Sequence, residues 1–236
     1  MQKSSLQSSV EITYIHMIQY NVCNIKYIIY LEGLQLKLIW KGKFQGEHQL
    51  PVGVLPDNAV RFREPETPAK LNLVASLFII PVALIIIAAI IIKAKMGLIT
   101  QGLELFNIWG VLLAFLMIFP HEMLHAVAFP REAEVEVWYS IKNMMAFVAS
   151  TYPTSKWRFI FLSLLPSIVF GFIPLIIWIF IPPEFSGISD MLFSFGSCSL
   201  MVGVGDFLNV FNAATQMPRG SITQLSGFHS YWYMPR

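Results

Sequence analysis

Charge is scarce in this chain of 236 residues. Asp, Glu, Lys and Arg make up 13% of it, where a soluble domain carries about 25%. Hydrophobic residues make up 56%, which excludes both an ordinary soluble domain and a disordered one. The formal net charge of +2 is too small to argue for a nucleic-acid partner. Cysteine is nearly absent: Cys23 and Cys198 make no disulfide framework, and Cys198, in an apolar run, reads as a small buried hydrophobe. There is no internal repeat and no low-complexity tract. The N-terminal stretch lacks the basic start, single apolar block and small-residue cleavage site of a signal peptide. What remains is long apolar sequence, and it points to an integral membrane protein.

A helix needs about 20 apolar residues to span a bilayer. Residues 71–92 and 159–181 are such runs and hold no charge, although the second carries Pro166 and Pro174. Residues 105–129 are long enough but contain His121, Glu122 and His125; residues 191–214 are long enough but contain Asp206. The expected fold is therefore an all-α membrane protein of four transmembrane helices with a small β element. Of the 16 Lys and Arg residues, 14 fall before the first span, between the second and third, or after the fourth; only Lys93 and Lys95 fall on the other side. The positive-inside rule then predicts a multi-pass protein with both termini and the middle loop in the cytoplasm.

Three regions follow. Residues 1–35 read as an irregular N-terminal extension. Residues 36–70 form a cytoplasmic segment and linker: Leu36, Leu38 and Trp40 alternate as in a strand, and Pro51, Pro56, Pro65 and Pro68 punctuate the rest. Residues 71–236 form the four-span domain. In its middle loop Glu134 and Glu136 alternate with Val135 and Val137, Lys142-Asn143 suits a turn, and Met145, Phe147 and Ala149 suit a return strand. A cytoplasmic β-hairpin is expected directly after the second span.

Ionisable groups inside a span are costly and mark an interior or a wet cavity. Here His121-Glu122-Met123-Leu124-His125 forms an H-E-x-x-H sequence. Residues four apart share a helix face, so two imidazoles can hold one Zn²⁺ and Glu122 can act as the general base. The alternative is a pair of satisfied core histidines. A catalytic zinc usually takes three protein ligands. Asp206 is the one acidic residue in the other three predicted spans, and depth supports it. Glu122 lies 17 residues beyond Leu105 and Asp206 15 beyond Met191, about 25 and 22 Å along their helices. Small-residue pairs, Gly110/Ala114 and Ser199/Gly203, would let spans two and four approach. Pro120 suits a kink beside the motif. Asn209, one turn from Asp206, suits either support of that carboxylate or a simple interhelical hydrogen bond.

Taken in order, these residues resemble the putative zincin peptidase family of small multi-pass membrane proteins, and more distantly the site-2 protease class of intramembrane metalloproteases. The resemblance runs from about Leu36 to Pro235. It rests on residues 38–43 (LIWKGK), residues 56–60 (PDNAV), the H-E-x-x-H sequence, residues 153–156 (PTSK) leading to Pro166, Gly205-Asp206, and residues 226–233 (SGFHSYWY). It implies zinc ligation by His121, His125 and Asp206, with Glu122 catalytic. The Asn-Pro segment that precedes the aspartate in many site-2 proteases is not evident, which leaves the oxyanion-stabilising group unassigned.

The expected activity is zinc-dependent hydrolysis of peptide bonds within or next to the membrane. Its partners would be a membrane protein or membrane-associated peptide as substrate and the lipid bilayer, with no nucleic acid. The rival from another class is a non-enzymatic scaffold with a closed structural metal site, completed by a fourth ligand such as His229. A small ion carrier ranks last.

Overall fold

The computed structural model describes residues 15–18, 27–31, 36–99, 106–141 and 145–236. In chain order these form β1 (Ile15–Ile18), β2 (Tyr27–Leu31), β3 (Leu36–Lys43), β4 (Val60–Arg61), α1 (Pro68–Ser76), α2 (Ile79–Lys95), α3 (Ile108–Leu116) and α4 (Ile118–Ala128). Then come β5 (Glu134–Ser140), β6 (Met145–Ala149), β7 (Thr154–Ser155), α5 (Lys156–Pro166), α6 (Ile173–Phe180), α7 (Ser186–Val202), α8 (Val204–Gln216), β8 (Ile222–Ser226) and β9 (His229–Tyr233). The protein is mostly helical with small sheets.

Among the described residues, three helices are long and apolar enough to cross a membrane: Pro68–Lys95, Lys156–Phe180 and Pro183–Val202. A fourth crossing is made if the bent pair α3 and α4 counts as one. Pro68–Lys95 and Lys156–Phe180 match the runs at 71–92 and 159–181. The run at 105–129 becomes two helices at 43°. Pro120, third in α4, has no N–H for the Leu116 carbonyl and its ring crowds that carbonyl, so the helix breaks one turn earlier, at Met117. The start of that run, through Leu105, lies outside the described residues. The run at 191–214 is corrected more strongly. The apolar helix is Pro183–Val202, and Gly203 separates it from α8. The polar residues Glu184, Ser186, Ser189 and Asp190 had hidden its first turns from a hydropathy reading. Asp190, buried in α7 beside Lys93, is thus an acidic residue inside an apolar helix that the hydropathy reading left outside its spans.

The helices pack through an apolar core of Val82, Ile86 and Ala89 from α2, Leu175, Trp178 and Ile179 from α6, and Phe193 and Leu200 from α7. α3 lies close against α7. A Cβ on Gly110 would stand 2.3 Å from the Met191 carbonyl oxygen and 2.8 Å from Ser194 Cβ, so only glycine allows this approach. The small residue expected in span two is used, but against Met191, Ser194 and Phe195 rather than against Ser199 and Gly203.

Two buried lysines and an exposed arginine hold helix ends, where carbonyls lack partners. Lys93 donates to the Trp178 and Ile181 oxygens at 2.6 and 2.9 Å, closing α6. Lys156 donates to the Ala214 and Met217 oxygens, closing α8. Arg158 donates to the Ala128 and Phe129 oxygens at 3.0 and 3.1 Å, closing α4. The last two extend from the start of α5, so α5 clamps together the two helices that carry the motif and Asp206.

Two sheets flank the helices. The first has strand order β1-β2-β3-β5-β6, with β3 and β5 parallel and the other pairs antiparallel. Lys37 pairs with Glu134, and Lys41 with Glu136 at 2.7 Å, across the parallel seam. The expected hairpin is present as β5 and β6; its predicted turn at Lys142-Asn143 lies outside the described residues. The reading of residues 1–35 as irregular is corrected at β1 and β2. Their Ile and Tyr content favours strands, and β3 offers them an edge. The second sheet, β4-β9-β8-β7, joins the linker, the middle loop and the C-terminal segment. A single small β element was expected and two sheets are found among the described residues, because the β3–β5 and β4–β9 pairings link segments more than 90 residues apart. Cys198 is only partly buried, not the buried hydrophobe expected.

Candidate metal centre

The bend at Met117 carries α4 across α5 with its motif face inward. His121 and His125, four residues apart, have ring centroids 5.0 Å apart and are both buried. His121, Glu122 and His125 each offer a ligand atom within 4.8 Å of the others, a cluster able to hold a metal ion.

Asp206 joins them from the first turn of α8. Its Oδ2 lies 3.0 Å from His121 Nε2 and its Oδ1 lies 3.2 Å from His125 Nε2. The helix counting that suggested this neighbour assumed two straight spans, whereas both are broken. The carboxylate reaches the imidazoles because the chain turns at Gly203, directly before α8.

The other nitrogen of His125 is fixed by a feature of α5. Pro166 has no N–H to give the Leu162 carbonyl, so that oxygen is free within its helix. His125 Nδ1 donates to it at 2.7 Å. This sets the tautomer and leaves Nε2 with a lone pair toward Asp206 Oδ1. In the neutral ring, two acceptors 3.2 Å apart need a proton or a metal ion between them. The donor set of two imidazole nitrogens and a carboxylate is that of a zinc site with room for a further ligand, so the residues present fit the metal.

Glu122 points to a different neighbour. Its carboxylate lies near the backbone N–H of Val148 on β6, where α4 packs against the edge strand of the first sheet. Val148 and the Leu162–Pro166 link were both missed in the sequence. A proline inside an apolar helix, which always frees one carbonyl, was the available signal for the second.

Two other candidates lie elsewhere. Asn209 is on the exposed side of α8, so its reading as a support for Asp206 is withdrawn. His229, the fourth ligand of the scaffold alternative, lies in a separate cluster on β9, with Nδ1 3.3 Å from Glu64 Oε1 and with Arg61 and Glu66 beside it.

With this geometry in place, comparison with known proteins defines a class. Residues 114–222 match the family model described as "Putative zincin peptidase". The match includes all of α4, the hairpin and α5 to α8, and so both the motif and Asp206. It points to a metallopeptidase with zinc as its metal. No curated protein and no solved structure matches the chain.

Proposed function

We propose that the protein is a zinc-dependent, membrane-embedded peptidase that hydrolyses peptide bonds within or next to the bilayer, distantly related to site-2 proteases. The observation that carries this reading is the convergence of Asp206 on both motif imidazoles, 3.0 and 3.2 Å away. His121, His125 and Asp206 are the metal ligands and Glu122 is the catalytic residue. When bound, zinc supplies a Lewis acid that polarises the scissile carbonyl and makes water acidic enough to react near neutral pH. Glu122 takes the proton from the attacking water and returns it to the leaving amine. The Val148 N–H lies near that carboxylate.

The substrate is a membrane protein or membrane-associated peptide that has unwound into an extended strand. With the Val148 N–H turned toward Glu122, the outer edge of β6 faces the site, and Ala146, two residues along, repeats that orientation about 7 Å away. A strand added there presents its carbonyl to the site by main-chain hydrogen bonds. An open apolar groove of about 370 Å³ beside Ala146, walled by Phe115, Phe119, Tyr139 and Met145, suits a large apolar side chain.

The membrane arrangement proposed is four spans with both termini and the hairpin in the cytoplasm. Its support is the placement of 14 of the 16 basic residues. The pairing of β4, β7 and β9 within one sheet, which requires the linker, middle loop and C-terminal segment to share a side, supports it too. Purified protein in lipid, offered membrane-anchored test substrates, should cleave them, lose the activity to a chelator and regain it with zinc. Cleavage indifferent to the chelator would contradict the reading.

A further inference from the structure

The helix that supports His125 contains an unexplained hydroxyl. Directly after Pro166 the helix widens into a π-helical stretch, Ser167–Phe172, a local form that recurs at functional sites. Ser167 is 1% exposed, yet its Oγ has no hydrogen-bond partner among the described residues. A serine in an apolar helix ordinarily satisfies its hydroxyl on a carbonyl one turn back, so a buried hydroxyl left alone calls for a reason.

Its surroundings supply one. A Cβ placed on Gly203 would stand 2.7 Å from Ser167 Oγ and 3.4 Å from Asp206 Oδ2. The hydroxyl and the carboxylate therefore both border the gap left by the glycine where α7 ends. In the present arrangement Oδ2 is hydrogen-bonded to His121 Nε2 at 3.0 Å. That bond requires a proton on Nε2. A histidine that ligates through Nε2 gives up that proton, and Asp206 Oδ2 then loses its donor.

We propose that Ser167 is a positioning residue for Asp206, donating its hydroxyl to Oδ2 when His121 turns its Nε2 lone pair to a metal ion. This rests on the reading of His121, His125 and Asp206 as ligands. Gly203 is the companion feature, because any side chain there would push the hydroxyl and the carboxylate apart. The arrangement parallels His125, whose orientation comes from the Leu162 carbonyl; both supports lie within one turn of Pro166 on α5.

The test measures metal binding, not turnover. Full-length protein in detergent is titrated with Zn²⁺ against a chromophoric chelator, and its Co²⁺ form is read by visible absorption. Ser167→Ala should bind zinc about 10- to 100-fold more weakly, the usual effect of removing a group that orients a ligand, and should shift the Co²⁺ spectrum. Gly203→Ala, which keeps the serine but fills the gap, should weaken binding as well. In the Ser167→Ala background it should add little, since the two act through one contact. Ser189→Ala, on the Lys93 side of the bundle, should leave both readings unchanged. A Ser167→Ala protein with wild-type zinc affinity and spectrum overturns the proposal while leaving the metal centre intact. So does a Gly203→Ala effect that is fully additive with Ser167→Ala. Wild-type protein that takes up neither metal overturns the metal-centre reading, and this proposal with it.

Discussion

Two buried polar centres sit on one helix. Leu162 and Trp178 are 16 residues apart in Lys156–Phe180, about 24 Å along the axis, and each anchors one centre. At the Trp178 end, Lys93 is 1% exposed and gives its protons to two carbonyl oxygens and to Ser189 Oγ at 3.4 Å. The ammonium meets acceptors, although Trp178 Nε1 beside it has no partner among the described residues. At the Leu162 end, both motif imidazoles meet the Asp206 carboxylate, and Ser167 Oγ, near the same glycine gap, has no partner among the described residues. Burial alone therefore does not mark a site. Both centres are buried, and only one brings metal-ligating side chains together.

That contrast predicts different responses to mutation. Asp206→Ala or His125→Ala should weaken zinc binding by more than the roughly 10- to 100-fold that loss of a supporting group costs. Chelator competition measures it, and wild-type affinity in Asp206→Ala would place the third ligand elsewhere. Lys93→Met should do the reverse. Zinc affinity stays as it was, while stability falls by about 1–3 kcal/mol for each carbonyl left without a donor, seen as a lower unfolding midpoint. A change in zinc affinity would join the two centres that the structure separates. Gly110→Ala should destabilise by about 1–3 kcal/mol through overpacking of α3 on α7, again without effect on zinc.

The smallest effect is expected in the cluster on β4 and β9, outside the helices. Burial raises the Glu64 carboxyl above its ordinary value, against the opposing pull of the Ser230 N–H at 2.9 Å and of His229. A carboxyl whose pKa is higher in the folded protein contributes stability below its ordinary value and loses it as pH rises through the folded value. Hydrogen exchange at Ser230 should therefore speed up across that window in the wild type. In Glu64→Gln, which keeps an acceptor but has no charge to bury, it should show no such step.

The residues that converge were more legible in the sequence than the architecture that brings them together. His121, Glu122 and His125 were legible because helical spacing is local, and Asp206 because a carboxylate in an apolar run is conspicuous. The strand β3 and the hairpin were legible from alternation. The parallel seam of β3 with β5 and the sheet joining β4, β7, β8 and β9 were not, since no local pattern records a partner so far along the chain. Hydropathy ran across Gly203 as though the helix continued, because it registers apolarity and not direction. It also counted Lys93 as a loop charge, although the carbonyls at the end of α6 hold it inside.

The central claim is that Glu122 moves the proton while His121, His125 and Asp206 hold the metal. The most direct test is a paired measurement on Glu122→Gln, with zinc content by metal analysis and turnover of a membrane-anchored substrate on the same preparation. The account predicts wild-type zinc content with turnover reduced by about 10²- to 10⁴-fold, the range for loss of a general base. Undiminished turnover, or loss of zinc from this variant, would contradict it.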